Sequence, residues 1–493
     1  MSRTDLVAEG RTPARPGRTF LGHPLGLANL AGVEMWERFS FYGMQGLLVF
    51  YLYYALVDGG LGLPQASATS IVGAYGGLVY LSAILGAWVA DRLLGAERAL
   101  TAAAAVIMVG HLSLALVPGL LGVGIGLLCI AIGSGTLKAT TSSVLGDLYE
   151  PQDQRRDAGF SIYYMGVNIG ALAGPLLTGL LWDLRGFHWG FGLAAVGMAV
   201  GLAQYLLLRR ATLGDAGRQV SNPLSRQGKV RYGAAAGATV ALVVVLSVTG
   251  VITALRLSTI VVGVTLAATV ALFTVILTSS RITAEERSRV LSFIPMFVAS
   301  AVFWSLFQQQ FTVVALYADQ RLDLSIFGWT MPPSWVQSIN PIFIIVFAGI
   351  FAATWTRLGP RQPLSPTKFA LGTIFMGVAF LLFLPYADGG PNSTPLLWLV
   401  FILFWFTMAE LCLSPVGQSL STKLAPKAFH TQMIALFFLS IAVGSAGAGS
   451  LARFYDPADE KPYFLTLGLA SIAVGVVLLI GKQWITRLMA GVR

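Results

Sequence analysis

A chain of 493 residues that is 56% hydrophobic and only 11% charged falls outside the range of ordinary water-soluble proteins, which carry about 25% charged residues. Its net charge of +10 would suit a nucleic-acid partner, but the basic residues fall in short loops between apolar runs, which is the pattern of a membrane protein with basic loops inside. The two cysteines, Cys129 and Cys412, both lie inside apolar runs and imply neither a disulfide framework nor a metal cluster.

In chain order, a tail over residues 1–24 precedes fourteen apolar runs, each long enough to cross a hydrocarbon core of about 30 Å. They span 25–56, 67–90, 99–118, 121–145, 158–182, 189–208, 233–254, 257–279, 290–318, 336–356, 367–386, 395–420, 431–452 and 463–482. The first has no small-residue cleavage site at its end and reads as a retained span, not a signal peptide. The loops on the side of the termini hold 25 of the 32 Lys and Arg, and the opposite loops hold five. This split places both termini, including a tail over 486–493, in the cytoplasm.

The fourteen spans divide as six, two and six: a unit over 25–208, a polar cytoplasmic linker over 209–232, a bland two-span insertion over 233–279, and a second unit over 280–485. The loop ADRLLGAER (90–98) has an echo in WTRLGPR (355–361), a hint of two related halves. The expected class is an all-α polytopic membrane protein.

Five ionisable residues remain inside the spans. An ionisable side chain at the bilayer centre costs at least about 2.5–3.5 kcal/mol, so it faces a cavity or a partner. Three of the five, Glu34, Glu37 and Arg38, lie in EMWERFSFYG (34–43). Helical spacing puts them close together, with Glu34 and Arg38 at i,i+4, and Phe41, Tyr42 and Gln45 continue the stripe. They read either as a charge-neutralising packing network or as a proton site beside a cationic anchor. One arginine cannot neutralise two glutamates without a further proton or ligand. Lys138 follows the small residues Gly133, Ser134, Gly135 and Thr136; it would pair with Glu34 or Glu37 across helices, or receive a ligand carboxylate. Glu410, in FWFTMAELCLSP, would be a protonated structural acid or the partner of a ligand amine. Pro415 beyond it is expected to break the helix. Cations in the first six spans and an acid in the last six suit a zwitterion bound between halves. Tyr80, Tyr163, Tyr164, Phe303, Trp304 and Trp405 are candidate pocket walls. There is no HExxH, no serine beside a base, and no ligand cluster among His23, His111, His188 and His430, so an intramembrane enzyme is not expected.

EMWERFSFYG resembles the ExxER motif of the proton-dependent oligopeptide transporter family, within the major facilitator superfamily. FSIYYMGVNIGAL (160–172) is similar to that family's second signature, with its Asn-x-Gly core at Asn168 and Gly170. GAWVADRLLG (86–95) resembles the facilitator loop motif, and PPSWVQSINP (332–341) and AELCLSPVGQSLSTKLAP (409–426) resemble further family segments. The resemblance runs over about residues 20–485, apart from the insertion, which itself resembles that of bacterial members.

This resemblance implies a major facilitator fold of two six-helix bundles with a two-helix insertion. It also implies a monomer in a bacterial inner membrane that imports di- and tripeptides by alternating access, with the proton as coupling ion and no other cofactor. Glu34, Glu37 and Arg38 match the proton-linked motif. Arg38 and Lys138 match the pair that holds the peptide carboxylate, and Glu410 matches the acid that meets the amine. Tyr42, Tyr80, Asn168, Trp304 and Asn340 match pocket positions. The chain departs at Gln45, where the family often has Arg, and at Gln308, where it often has an acid. In relatives the two form a charged gate; here a hydrogen-bonded gate is expected. Phe41 replaces a frequent Tyr, and Phe437 stands near a frequent Trp. Same-fold alternatives are a carrier for a nitrate-like anion or a peptide-like metabolite, and a peptide sensor that does not transport.

Overall fold

A computed structural model describes residues 19–492 except 151, 152, 154, 215 and 221. The basic tail residues Arg3, Arg11, Arg15, Arg18 and Arg493 lie outside the described residues. The first unit consists of α1 (Leu25–Tyr53), α2 (Gln65–Val89), α3 (Ala96–Leu116), α4 (Gly119–Asp147), α5 (Arg156–Arg185) and α6 (Phe187–Thr212). Two helices follow, α7 (Arg226–Val248) and α8 (Leu257–Thr278). The last unit holds α9 (Ala284–Phe307), α10 (Val313–Arg321), α11 (Ile339–Leu358), α12 (Ser365–Leu381), α13 (Leu396–Lys423), α14 (His430–Ala452) and α15 (Lys461–Leu488). Three pairs of two-residue strands close loops, among them Leu322–Asp323 parallel to Thr394–Pro395.

Among the described residues, 13 segments are long and apolar enough to cross a membrane, with α9 and α10 counted together. The exception, α1, is long enough at 29 residues, but Glu34, Glu37, Arg38 and Gln45 lower its hydropathy. It is buried on almost every side, between α4, α5 and α6, so it does not need the apolarity of a lipid-facing helix.

Helix ends follow local chemistry. Thr283 and Glu286 form a reciprocal cap on α9: the Thr283 hydroxyl accepts the Glu286 N–H at 3.1 Å, and the Glu286 carboxylate accepts the Thr283 N–H at 2.9 Å, which satisfies two otherwise unpaired donors. The break between α9 and α10 is a 3₁₀ turn over Gln308–Phe311, with neither glycine nor proline to announce it. By contrast, α13 runs unbroken through Pro415. Within a long helix whose ends are packed, the loss of one backbone hydrogen bond is absorbed, so the expected break does not occur.

In the first unit α1 packs on α5 and α6, and α4 on α2 and α3; in the last, α12 packs on α13 and α15, and α9 on α14. The units meet mainly along α2 and α14. A Cβ on Gly73 would lie 2.5 Å from the Gly449 backbone, so only glycine permits this approach. Hydrogen bonds join the units toward the face opposite the chain termini, the far face: Trp335 Nε1 donates to the Leu176 carbonyl (2.9 Å), and the Ser338 hydroxyl to the Leu172 carbonyl (3.0 Å). Tyr54, the C-cap of α1, reaches Asp319 on α10 at 2.6 Å. The far face is therefore closed. Tyr164, about a third of the way along α5, is 49% exposed.

Between the first unit and α7, the connecting chain docks on the turn after α2. Asn222 and Leu224 N–H groups donate to the carbonyls of Asp91 (3.0 Å) and Arg92 (3.1 Å), and Glu97 N–H to that of Gly217 (2.9 Å). Gly95 turns here at φ +82°, where a Cβ would also press on Arg218. Arg209 pairs with the buried Glu97 at 2.8 Å. While α8 packs on α2 and α14, α7 buries none of its residues, and Tyr232 at its foot packs edge-on against Trp88.

Candidate functional site

Glu34, Glu37 and Arg38 are all buried, at 2%, 0% and 5% exposure. Arg38 Nε lies 3.2 Å from Glu34 Oε1 and 2.7 Å from Glu37 Oε2. Ser134 on α4 donates to the other Glu37 oxygen at 2.5 Å. The guanidinium also lies 5.2 Å from the Phe41 ring centre. One cation thus serves two acids. Glu34 Oε2 and Arg38 Nη2 remain buried without a hydrogen-bond partner. Such groups carry the full desolvation cost until a partner arrives, so the cluster has hydrogen-bonding capacity in reserve.

Lys138 does not form the cross-helix salt bridge to Glu34 or Glu37 that was one of its two readings. Its ammonium sits 4.8 Å from the Tyr80 ring centre and 6.0 Å from that of Phe438, held by ring faces. Ser134 and Lys138, one turn apart on α4, both face α1, Ser134 by its bond to Glu37. Lys138 thus stands near the acids with none of them bonded to it.

Across the space, Asn340 Nδ2 donates to Glu410 at 3.3 Å and to the Thr407 hydroxyl at 3.0 Å. Asn340 and Glu410 are therefore one unit, built by α11 and α13. Tyr42 and Tyr80 each stand within electrostatic reach of both Arg38 and Glu410, and Tyr164 within reach of Glu410. Tyr42 and Tyr80 thus lie near both Arg38 of the first unit and Glu410 of the last.

The remaining residues are placed elsewhere. Asn168 bonds the Tyr164 carbonyl one turn back on α5 (2.9 Å). Its neighbour Gly170 is a packing residue: a Cβ there would lie 2.2 Å from the Met35 carbonyl and 3.0 Å from Arg38 Cβ, so α5 presses directly behind Arg38. Trp304 is buried against Phe303, Phe307 and Gly444, and its indole N–H has no partner. Gln308 donates to Ser445 at 3.1 Å and shares a small cavity with Gln45, Thr312 and Ser445. The side-chain oxygens of Gln45 and Gln308 are both buried there without partners. The expected hydrogen bond between Gln45 and Gln308 is not formed; Gln308 bonds Ser445 instead.

Sequence reasoning gave no role to Thr407 or Phe438 and counted Ser134 only among the small residues before Lys138. Ser134 was findable from its i,i+4 spacing to Lys138 and Thr407 from its i,i+3 spacing to Glu410, whereas Phe438 looks like any apolar residue. Among the described residues no group of three or more His, Cys, Asp or Glu side chains is arranged to hold a metal.

The model of the POT family matches residues 97–470. A di-/tripeptide transporter of Lactococcus lactis subsp. cremoris is 38% identical, over 97% of this chain and 98% of its own. A crystal structure of a peptide transporter POT in complex with sulfate superposes with a TM-score of 0.92 at 45% identity, covering 97% of this chain and 98% of that one. A POT family transporter in complex with 5-aminolevulinic acid gives 0.90 at 40% identity, over 96% and 99%. Similarity of this extent, over both units and the two helices between them, makes the chain a member of the POT family with the major facilitator fold.

Proposed function

We propose that this protein is a proton-coupled symporter that imports di- and tripeptides by alternating access. The observation that carries this reading is the pair of buried cations in the first unit, Arg38 beside two acids and Lys138 against the Tyr80 ring, with the acid Glu410 held by Asn340 in the last unit. A zwitterion fits such an arrangement, with its carboxylate on the cations and its amine on the acid. The similarity to a di-/tripeptide transporter supports the same substrate class.

The coupling follows from the crowding around Arg38. A proton arriving on Glu34 or Glu37 removes one of the two acids it serves, and frees guanidinium donors for the peptide carboxylate. Lys138, with no acid bonded to it, supplies the second cation, and Glu410 takes the amine while Asn340 holds its carboxylate in place. With charges paired, the units close around the peptide and open on the other side. Loss of the proton returns Arg38 to both glutamates and expels the carboxylate. The membrane potential assists, since moving a unit charge is worth about 2.3 kcal/mol per 100 mV. The bias of basic residues toward the loops on the terminal side supports cytoplasmic termini, and the proposal takes the protein to act as a monomer in a bacterial inner membrane. Membership of a transporter family supports reading the protein as a carrier.

Uptake of labelled dialanine into proteoliposomes, with and without an inward proton gradient, tests the proposal. Accumulation that needs the gradient and is competed by other dipeptides, but not by free alanine, is the expected result. Equilibration without accumulation would refute the coupling. A second reading, a carrier of peptide-like metabolites, is favoured by the similarity to a POT family transporter solved with 5-aminolevulinic acid. That compound also bears an amine and a carboxylate, and its competition against dialanine separates the readings.

A further inference from the structure

We propose that Asp319 is the acceptor of a latch that holds the far face shut, with Tyr53 and Tyr54 as its two donors. The latch joins the two units at the rim. Tyr53 is the last residue of α1 and Tyr54 its C-cap; Asp319 lies near the end of α10. Tyr53 donates to one carboxylate oxygen of Asp319 and Tyr54 to the other, the latter at 2.6 Å. Among the described residues Asp319 makes no ion pair, so the two phenols carry its pairing.

Each side of the latch is anchored in its own unit. On the α1 side, the Tyr54 ring packs edge-on against Trp182 and Phe187, and Tyr53 packs against Phe50. On the other side, Arg321, two residues beyond Asp319, pairs with Glu460 at 3.2 Å and also donates to the Pro457 carbonyl. Glu460 is fully buried and accepts from Tyr455 at 2.5 Å and from the Asp388 N–H at 2.9 Å. Tyr317, two residues before Asp319, bonds Thr394 at 2.7 Å. The carboxylate and the phenols therefore cannot follow one another when the units separate. Opening the far face must break both bonds, and closing it must remake them. The 3₁₀ break over Gln308–Phe311 frees α10 from the line of α9, which sets Asp319 at the interface.

The inference rests on the alternating-access reading above, but its test uses no peptide, so failure of the substrate assignment leaves it untouched. Cys129 and Cys412 are replaced by serine and a single reporter cysteine is added in nanodiscs. Val72→Cys reports on the far face, where Val72 is buried and lines the cavity beside Gln45 and Gln308. Tyr164→Cys reports on an exposed position within reach of Glu410. The latch is removed by Asp319→Ala and, more gently, by Tyr53→Phe with Tyr54→Phe, which deletes only two hydroxyls. The expected result in both is a rise in the maleimide labelling rate of Val72→Cys by about ten-fold, the scale of charge-assisted hydrogen bonds lost, together with slower labelling of Tyr164→Cys. Arg321→Ala, which unpins α10, shifts both reporters the same way by a smaller factor. Faster labelling at both reporters would mean general loosening and overturn the latch. Unchanged labelling in the double phenylalanine variant would overturn it as well.

Discussion

Arg38 cannot be replaced by lysine without loss, although the charge is kept. Its Nε faces Glu34 and Glu37 at once while the rest of the planar guanidinium stays available, a division of labour that a single ammonium cannot reproduce. Arg38→Lys is expected to abolish gradient-driven dialanine uptake while the protein still elutes at the same volume as the unaltered protein. Lys138→Ala deletes a cation held by ring faces and bonded to no acid; we expect uptake to fall at least roughly ten-fold, the worth of one charge-assisted hydrogen bond. Full proton-driven uptake in that variant would end the proposed coupling scheme. Glu410→Gln retains a partner for Asn340 but loses its charge. Dialanine affinity should fall about ten-fold on the same scale, and an N-acetylated dipeptide, lacking the charged amine, should bind equally to both forms. The five ionisable residues could be picked out from sequence because the cost of a charge in lipid does not depend on the fold. Partner choice could not: whether Lys138 meets an acid or the Tyr80 ring depends on which groups the acids already hold.

At the scale of elements, most helix positions were legible to within a few residues, since twenty apolar residues in lipid have one way to satisfy their backbone; α7 is displaced, running over Arg226–Val248 where the sequence suggested 233–254. Two details escaped. The α9–α10 break carries no glycine or proline; it exists because the QQQF turn finds tertiary partners, such as Ser445 for Gln308. Conversely Pro415, the loudest local signal for a break, leaves α13 continuous. Close helix approach was legible only as an abundance of small residues, not as the pairing of Gly73 with Gly449. Gly73→Val places carbon where the Gly449 backbone lies 2.5 Å away. We expect it to prevent the far face from sealing, seen as loss of uptake and rapid labelling of a cysteine at Val72.

On the scale of the whole molecule, the units were foreseeable as six spans and six, while their closed far face was not, because opposed conformations of a carrier use one sequence. Of the helices, α7 stands apart in its packing. It buries none of its residues, so substitutions that keep it apolar, such as Val243→Leu with Val244→Leu, should change neither thermal melting in detergent nor uptake. The same change at the packed α2–α14 contact would be disruptive.

The exposure of α7 has a practical consequence for imaging a protein that is almost entirely submerged in lipid. Particles of this kind offer little mass outside the bilayer by which to orient them. The short turn after α7, around Gly250 at φ +73° with nothing near it, is a natural place to graft a rigid soluble domain. Because α8 is packed against both units, such a graft would be held by the bundle and would give each particle a feature by which to orient it.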